Sequence, residues 1–171
     1  MPKDDLFLML RFRDLTVGEG ETIAEHRSVL NRNGCVWWGW WKRQTEEVPK
    51  EAMVTMQEQL ERAAPNAIRC YLMDAGRERL YRAEFDAIRM APEGTSIQSP
   101  DVFLSPDYYH RGNYPAWFRL TRIDDADFAA EKLRYHSFPT NSGNEVATDR
   151  LLIPSIAEAR KRDVTLYMVT Q

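Results

Sequence analysis

Residues 35–41 read Cys35-Val36-Trp37-Trp38-Gly39-Trp40-Trp41, which places four of the chain's five tryptophans in five consecutive positions around one glycine. Alternate side chains of a strand point to opposite faces, so Trp38 and Trp40 share one face with Val36 while Trp37 and Trp41 share the other. Both faces must then accept a large ring. Gly39 removes a side chain from the middle of the run, which lets another backbone or a flat ligand come close. The run is therefore either a central strand buried between sheet and helix, or one wall of an aromatic box that stacks on a planar base or cation.

The flanking sequence supplies a regular succession of elements. Leu6, Leu8, Leu10 and Phe12 alternate with Phe7, Met9, Arg11 and Arg13, which predicts a strand over about residues 5–13. Thr22 can cap a helix running to about Asn33, with Ile23, His26 and Leu30 on its inner face and Gly34 as a left-handed stop. After the tryptophans, Pro49 opens a second helix with Met53, Met56, Leu60 and Ala63 along one stripe. Ile68, Cys70 and Leu72 then alternate with Arg69, Tyr71 and Met73, and the turn Asp74-Ala75-Gly76-Arg77 leads into a return strand, Leu80–Ile88. In that strand Tyr81, Ala83, Phe85 and Ala87 are expected on one face, opposite Arg82, Glu84 and Asp86.

Residues 91–115 carry Pro92, Pro100, Pro106 and Pro115 and predict a long irregular surface segment containing Tyr108, Tyr109 and His110. Loops of this length in compact domains are usually functional or mobile. A strand over Ala116–Ile123, a short helix from Asp125 to about Tyr135, a polar turn at Asn141–Asn144, a helix from about Pro154 to Arg162 and a strand over Val164–Val169 complete the reading. About six strands and three or four helices in mixed order indicate an α+β fold with a mixed, mostly antiparallel sheet.

At 171 residues and 43% hydrophobic composition, the chain suits a single domain over 1–171. A net charge of −3 provides no global positive field, so any nucleic-acid contact must be local. Arg77, Arg79 and Arg82 near the hairpin turn, with Arg11 and Arg13, form a local basic group that reads first as ordinary surface charge and second as a phosphate contact. Cys35 and Cys70 lack metal or redox spacing and read as reduced core residues. The start of the chain is acidic where a secretory leader is basic, and no segment reaches the apolar length of a membrane span, so a cytoplasmic protein is expected. The three histidines are dispersed, and adjacent carboxylates such as Glu46-Glu47 and Asp124-Asp125 read as solvated or as helix-capping groups. No metal and no cofactor is expected, and dinucleotide, phosphate-loop and nucleophile-elbow motifs are absent.

Strand, helix, aromatic strand, helix and then the hairpin Ala67–Met73/Leu80–Ile88 resembles the PUA-like superfamily, which includes the EVE, ASCH and YTH domains. The stretch Ile68-Arg69-Cys70-Tyr71-Leu72 is similar to the strand in which EVE domains carry an aromatic, and Arg79–Ile88 to the return strand after it. The likeness covers about residues 5–125, leaving 126–171 as a helix and strand packed on that core. It departs from the EVE pattern at Leu6-Phe7-Leu8, where a Tyr-Trp pair is usual, and Gly20–Arg27 is only a loose echo of the ASCH motif. The resemblance implies a small pseudo-barrel that receives a base, often a modified one, between aromatic rings, without catalysis. The ending Arg150–Gln171 reads as a helix and strand packing back on the domain, and in a longer protein this arrangement suits an N-terminal sensor module ahead of an effector or partner, a layout associated with prokaryotic signalling and defence proteins.

The chain has the parts for such a cage. Trp38 or Trp40 provides one wall, Tyr71 or Trp117 another, His26 or Asp74 an edge contact, and Tyr108 and Tyr109 a cover from the long loop. Stacking is worth roughly 1–3 kcal/mol per ring, so two rings and an edge contact suffice for micromolar binding of a nucleotide or nucleic-acid base. Two other functions remain open: an enzyme acting on a nucleotide-like substrate with His26 or Asp74 as acid or base, and a protein-interaction domain whose tryptophans are all core.

Overall fold

Strand β1 (Phe7–Phe12) lies inside the sheet because its residues are apolar on both faces, with Leu8, Met9 and Leu10 all buried. The computed structural model describes residues 7–14, 21–44, 46, 48–109, 112–136, 152–153 and 165–170. Within them the chain forms helix α1 (Glu21–Asn33), β2 (Val36–Gly39), α2 (Lys50–Ala63), β3 (Ile68–Asp74), β4 (Arg79–Met90), β5 (Ala116–Ala126), the single turn α3 (Phe128–Glu131), β6 (Arg134–His136), β7 (Leu152–Ile153) and β8 (Leu166–Thr170).

The strands form one eight-stranded sheet in the order β2-β5-β4-β3-β1-β8-β6-β7. β1 and β3 are parallel and every other pair is antiparallel. The crossover from β1 to β3 is α1-β2-α2, which is long enough to carry a parallel connection and drops β2 at the far end of the ladder. The fold is α+β with a mixed sheet, as expected. Among the described residues β2 and β7 are not paired with each other, so the ladder does not close into a hydrogen-bonded barrel.

Alternation sorts the core as the sequence predicts. Leu8, Leu10 and Phe12 join Val36, Trp38, Trp40, Cys70 and Leu72 under α1 and α2, while Met9, Tyr71, Met73 and Val169 form a cluster on the opposite face. Met53, Met56 and Leu60 supply the α2 stripe, and Gly34, at φ +81°, ends α1 with its N–H donating to Leu30 O at 2.7 Å.

Four expectations change. The tryptophan strand is buried on both faces but is the terminal strand of the described ladder, paired with β5 alone. The alternation in β4 breaks at register shifts around Phe85, so Phe85 faces the main core while Ala87 packs with Trp117 on the other side. One inserted residue reverses the face of everything after it. The helix expected over 125–135 shrinks to Phe128–Glu131, because Ile123–Ala126 continue to pair with β4, Lys132 takes a left-handed conformation, and 134–136 pair with β8. Finally, the described part of the 91–115 segment is irregular but not superficial: Tyr109 is wholly buried. The turn expected at Asn141–Asn144, the helix at Pro154–Arg162, and His110 lie outside the described residues.

Candidate functional site

His26 is placed by α1. Amphipathic spacing turns Thr22, Ile23, His26 and Val29 inward, and the His26 side chain is wholly buried. Its Nδ1 lies 2.7 Å from the carbonyl oxygen of Thr22, one helical turn back. Its ring lies against Trp38, with centroids 4.2 Å apart and planes inclined by 34°. Burial holds the imidazole well below its ordinary range, at a pKa of about 4, with the Thr22 carbonyl opposing in part, so the ring is neutral at physiological pH. His26 Nε2 is buried and makes no hydrogen bond among the described residues.

Two tyrosines from the loop turn Asp107–Tyr109 close on this histidine. The Tyr109 ring meets it edge-on at 5.5 Å and the Tyr108 ring at 6.1 Å, with the Tyr108 hydroxyl 3.4 Å from Nδ1. Tyr108 and Tyr109 lie 4.5 Å apart. Burial raises the phenol pKa of both, so neither ionises near neutrality.

Tyr109 also serves the outer edge of the tryptophan strand. Its hydroxyl donates to Gly39 O at 3.1 Å and accepts the indole N–H of Trp41 at 2.7 Å, while its ring packs edge-on against Trp117 at 5.2 Å. A terminal strand exposes unpaired backbone groups, and a buried tyrosine here satisfies one of them. Gly39 is needed for the same packing. A Cβ there would lie 2.9 Å from Tyr114 Cδ2 and 3.1 Å from Trp117 Cη2. The close approach that the glycine admits is thus taken by the protein's own rings.

His26 contacts Trp38 on one side and Tyr108 and Tyr109 on another, and Tyr109 links Trp117 to the group. Phe12 extends the group, edge-on to Trp38 at 5.2 Å. Trp40 shares the face of Trp38, but its indole N–H donates to Thr165 Oγ1 at 2.8 Å, tying it to the start of β8. Tyr71 is on the opposite face of the sheet, where its hydroxyl donates to Glu131 Oε2 at 2.8 Å. Asp74 ends β3 opposite Phe12, and its Oδ1 accepts the N–H groups of Gly76 and Arg77, an Asx turn closing the hairpin. Trp38, Trp40 and Trp117 are each at most 1% exposed.

A family model described as Pua-like matches residues 8–171. The chain belongs to the PUA-like family. The match reaches through β8, beyond the 5–125 span over which element order carries the resemblance. No curated protein and no solved structure matched this PUA-like chain. No helix among its described residues is long and apolar enough to cross a membrane, and no group of His, Cys, Asp and Glu there has a metal-ligand arrangement.

Of the two loop tyrosines expected to cover the site, Tyr109 is the hub of the aromatic group. One feature of this PUA-like chain escapes sequence reasoning. Glu46, expected to be solvated, is 7% exposed. Its carboxylate accepts from Arg43 N, Thr165 N, Thr165 Oγ1 and Leu166 N, and so pins β8 to the loop after the tryptophans. The cysteines stay apart and free, and burial pushes the Cys70 thiol up, leaving it protonated and inert.

Proposed function

We propose that this chain is a non-catalytic recognition module for a nucleobase-containing ligand, with the base taken between Trp38 and the Tyr108–Tyr109 turn and met at its edge by His26. The observation that carries this reading is the buried His26 ring: it packs against Trp38 at a 34° tilt, is covered by loop tyrosines, and has a ring nitrogen without a partner among the described residues. PUA-like domains often bind nucleic acids or bases, which supports the same reading. Recognition requires the Asp107–Tyr109 turn to lift so that a base enters beneath the Tyr108 ring, beside His26, with Tyr108 closing over it. Half-buried Tyr108 is the ring of this group most able to move. Trp117 and Trp40 back the walls, and Tyr71 and Asp74 hold the sheet and hairpin that carry them. As a sensor, the module works in the cytoplasm and reports occupancy to an attached effector or partner.

A second reading is favoured by one observation, the near-complete burial of Trp38, Trp40 and Trp117. It makes the tryptophans structural and the chain an interaction domain. The enzymatic reading gains less, because Asp74 Oδ1 is engaged by two backbone amides.

Isothermal titration against nucleoside monophosphates and modified bases tests the proposal, using Tyr108→Ala as the variant because it leaves the buried indoles in place. Micromolar binding by one base class, weakened at least roughly ten-fold by Tyr108→Ala, supports recognition at this site. No binding across the panel, or binding untouched by the variant, discards it in favour of the interaction domain. Turnover of a panel member moves the chain to the enzymatic reading.

A further inference from the structure

The tautomer of His26 is fixed by its surroundings. A carbonyl oxygen only accepts, so the nitrogen 2.7 Å from Thr22 O, Nδ1, must carry the ring proton. In a neutral imidazole the other nitrogen then holds a lone pair and no hydrogen. That nitrogen, Nε2, is buried and without a hydrogen-bond partner among the described residues. The hydroxyls of the two tyrosines packed on the ring do not serve it: Tyr109 donates to Gly39 O, and the Tyr108 hydroxyl approaches Nδ1. Buried polar atoms almost always have a partner, so an exception beside stacked rings points to a ligand that supplies one.

We infer, on the base-recognition reading above, that His26 Nε2 is a hydrogen-bond acceptor that selects bases presenting an N–H donor edge, and that it rejects edges presenting only acceptors. Among nucleobases, the amines of adenine, cytosine and guanine and the ring N–H groups of guanine N1 and uracil N3 are such donors, whereas the purine N7 and the keto oxygens are acceptors; the amines are the ones that can be removed without otherwise changing the ring. A lone pair aimed at another lone pair in a buried site leaves both unsatisfied, and sites built around a hydrogen bond discriminate strongly against partners that lack it. His26 is therefore a specificity-determining residue, while stacking on Trp38 supplies affinity without choosing between bases.

The test compares adenosine and cytidine monophosphates with their deamino analogues, the monophosphates of purine riboside and of pyrimidin-2-one riboside. Each analogue is smaller than its parent, so a loss of affinity is not steric. In the native protein the amine is expected to tighten binding by about ten-fold or more for the base that fits. In His26→Phe, which keeps a flat ring and removes the acceptor, the ratio is expected to fall near one. Nitrogen NMR of the histidine ring in the native protein is a second readout that needs no variant to fold. It is expected to show the proton on Nδ1 and a shift of Nε2 when the amine-bearing nucleotide is added. Equal affinity for parent and analogue, a ratio that survives His26→Phe, or a proton on Nε2 overturns the inference while leaving base recognition standing. Binding of none of the four also overturns the inference, and base recognition falls with it only if the wider panel of nucleoside monophosphates and modified bases fails to bind.

Discussion

Glu46 and Thr165, 119 positions apart in sequence, are joined by two 2.7 Å hydrogen bonds, from the Thr165 N–H to Oε2 and from its hydroxyl to Oε1. The same carboxylate takes the amides of Leu166 and Arg43. One buried acidic group thereby fixes the start of β8 against the loop that follows the tryptophans. Glu46→Gln keeps the shape but turns an NH2 group toward N–H donors, and donors to a buried charge are worth about 1.5–3 kcal/mol each. Urea unfolding is expected to show a loss of about 2–3 kcal/mol. A midpoint within error of the native protein contradicts the clamp.

Gly39→Ala places a methyl group 2.9 Å from the Tyr114 ring and 3.1 Å from the buried Trp117 ring. Both rings belong to the packed group around Tyr109, so neither can retreat freely. Overpacking of this kind costs about 1–3 kcal/mol. Thermal unfolding and near-ultraviolet circular dichroism measure it: a lower midpoint with an altered aromatic band is expected, and an unchanged midpoint shows that the rings yield at no cost.

His26 makes stability depend on pH in a defined direction. Its folded pKa, about 4, lies below the ordinary 6.5, so the unfolded chain binds the proton more readily. Stability therefore falls as pH drops from about 6.5 to about 4, by about 3 kcal/mol in total for this group. Carboxylates titrate over the lower part of the same window, so the comparison is with His26→Phe, whose stability curve should lack this component. Parallel curves for the two proteins from pH 7 to 4 rule out a buried neutral histidine.

Tyr109→Phe removes the donor to Gly39 O and the acceptor of the Trp41 indole N–H while keeping the ring contacts. Gly39 O loses a buried partner, whereas Trp41 is 36% exposed and can turn to water. A loss of about 1–2 kcal/mol is expected, with a shift in Trp41 fluorescence. A neutral substitution with unchanged fluorescence contradicts the edge-sealing role.

The parts of this fold that periodicity governs were legible in the sequence. The alternation of β1, β3 and the tryptophan strand sorts Leu8, Leu10, Val36 and Trp38 from Met9, Tyr71 and Trp37 correctly, and Gly34 and Pro49 mark helix ends where the structure has them. What depended on distant pairing was not legible. The shifts around Phe85 answer to the register of β5, and 134–136 become a strand only because β8 lies alongside. In the candidate site, His26, Trp38 and Tyr108 were identified singly, and the structure makes them neighbours. Glu46 was not legible because its role is set by a partner, Thr165, that no local pattern announces, and Tyr109, expected only as a cover beside Tyr108, takes its place as hub from its bond to Gly39 O.

The central claim is that Trp38, His26 and the Tyr108–Tyr109 turn take a base between them. Adding the nucleoside monophosphate panel to labelled protein, with the Trp38 indole N–H and the His26 ring followed by NMR, tests it most directly. The account predicts saturable shifts of both groups with at least one base, together with changes at Tyr108. Shifts confined to other regions, or none with any base, contradict it.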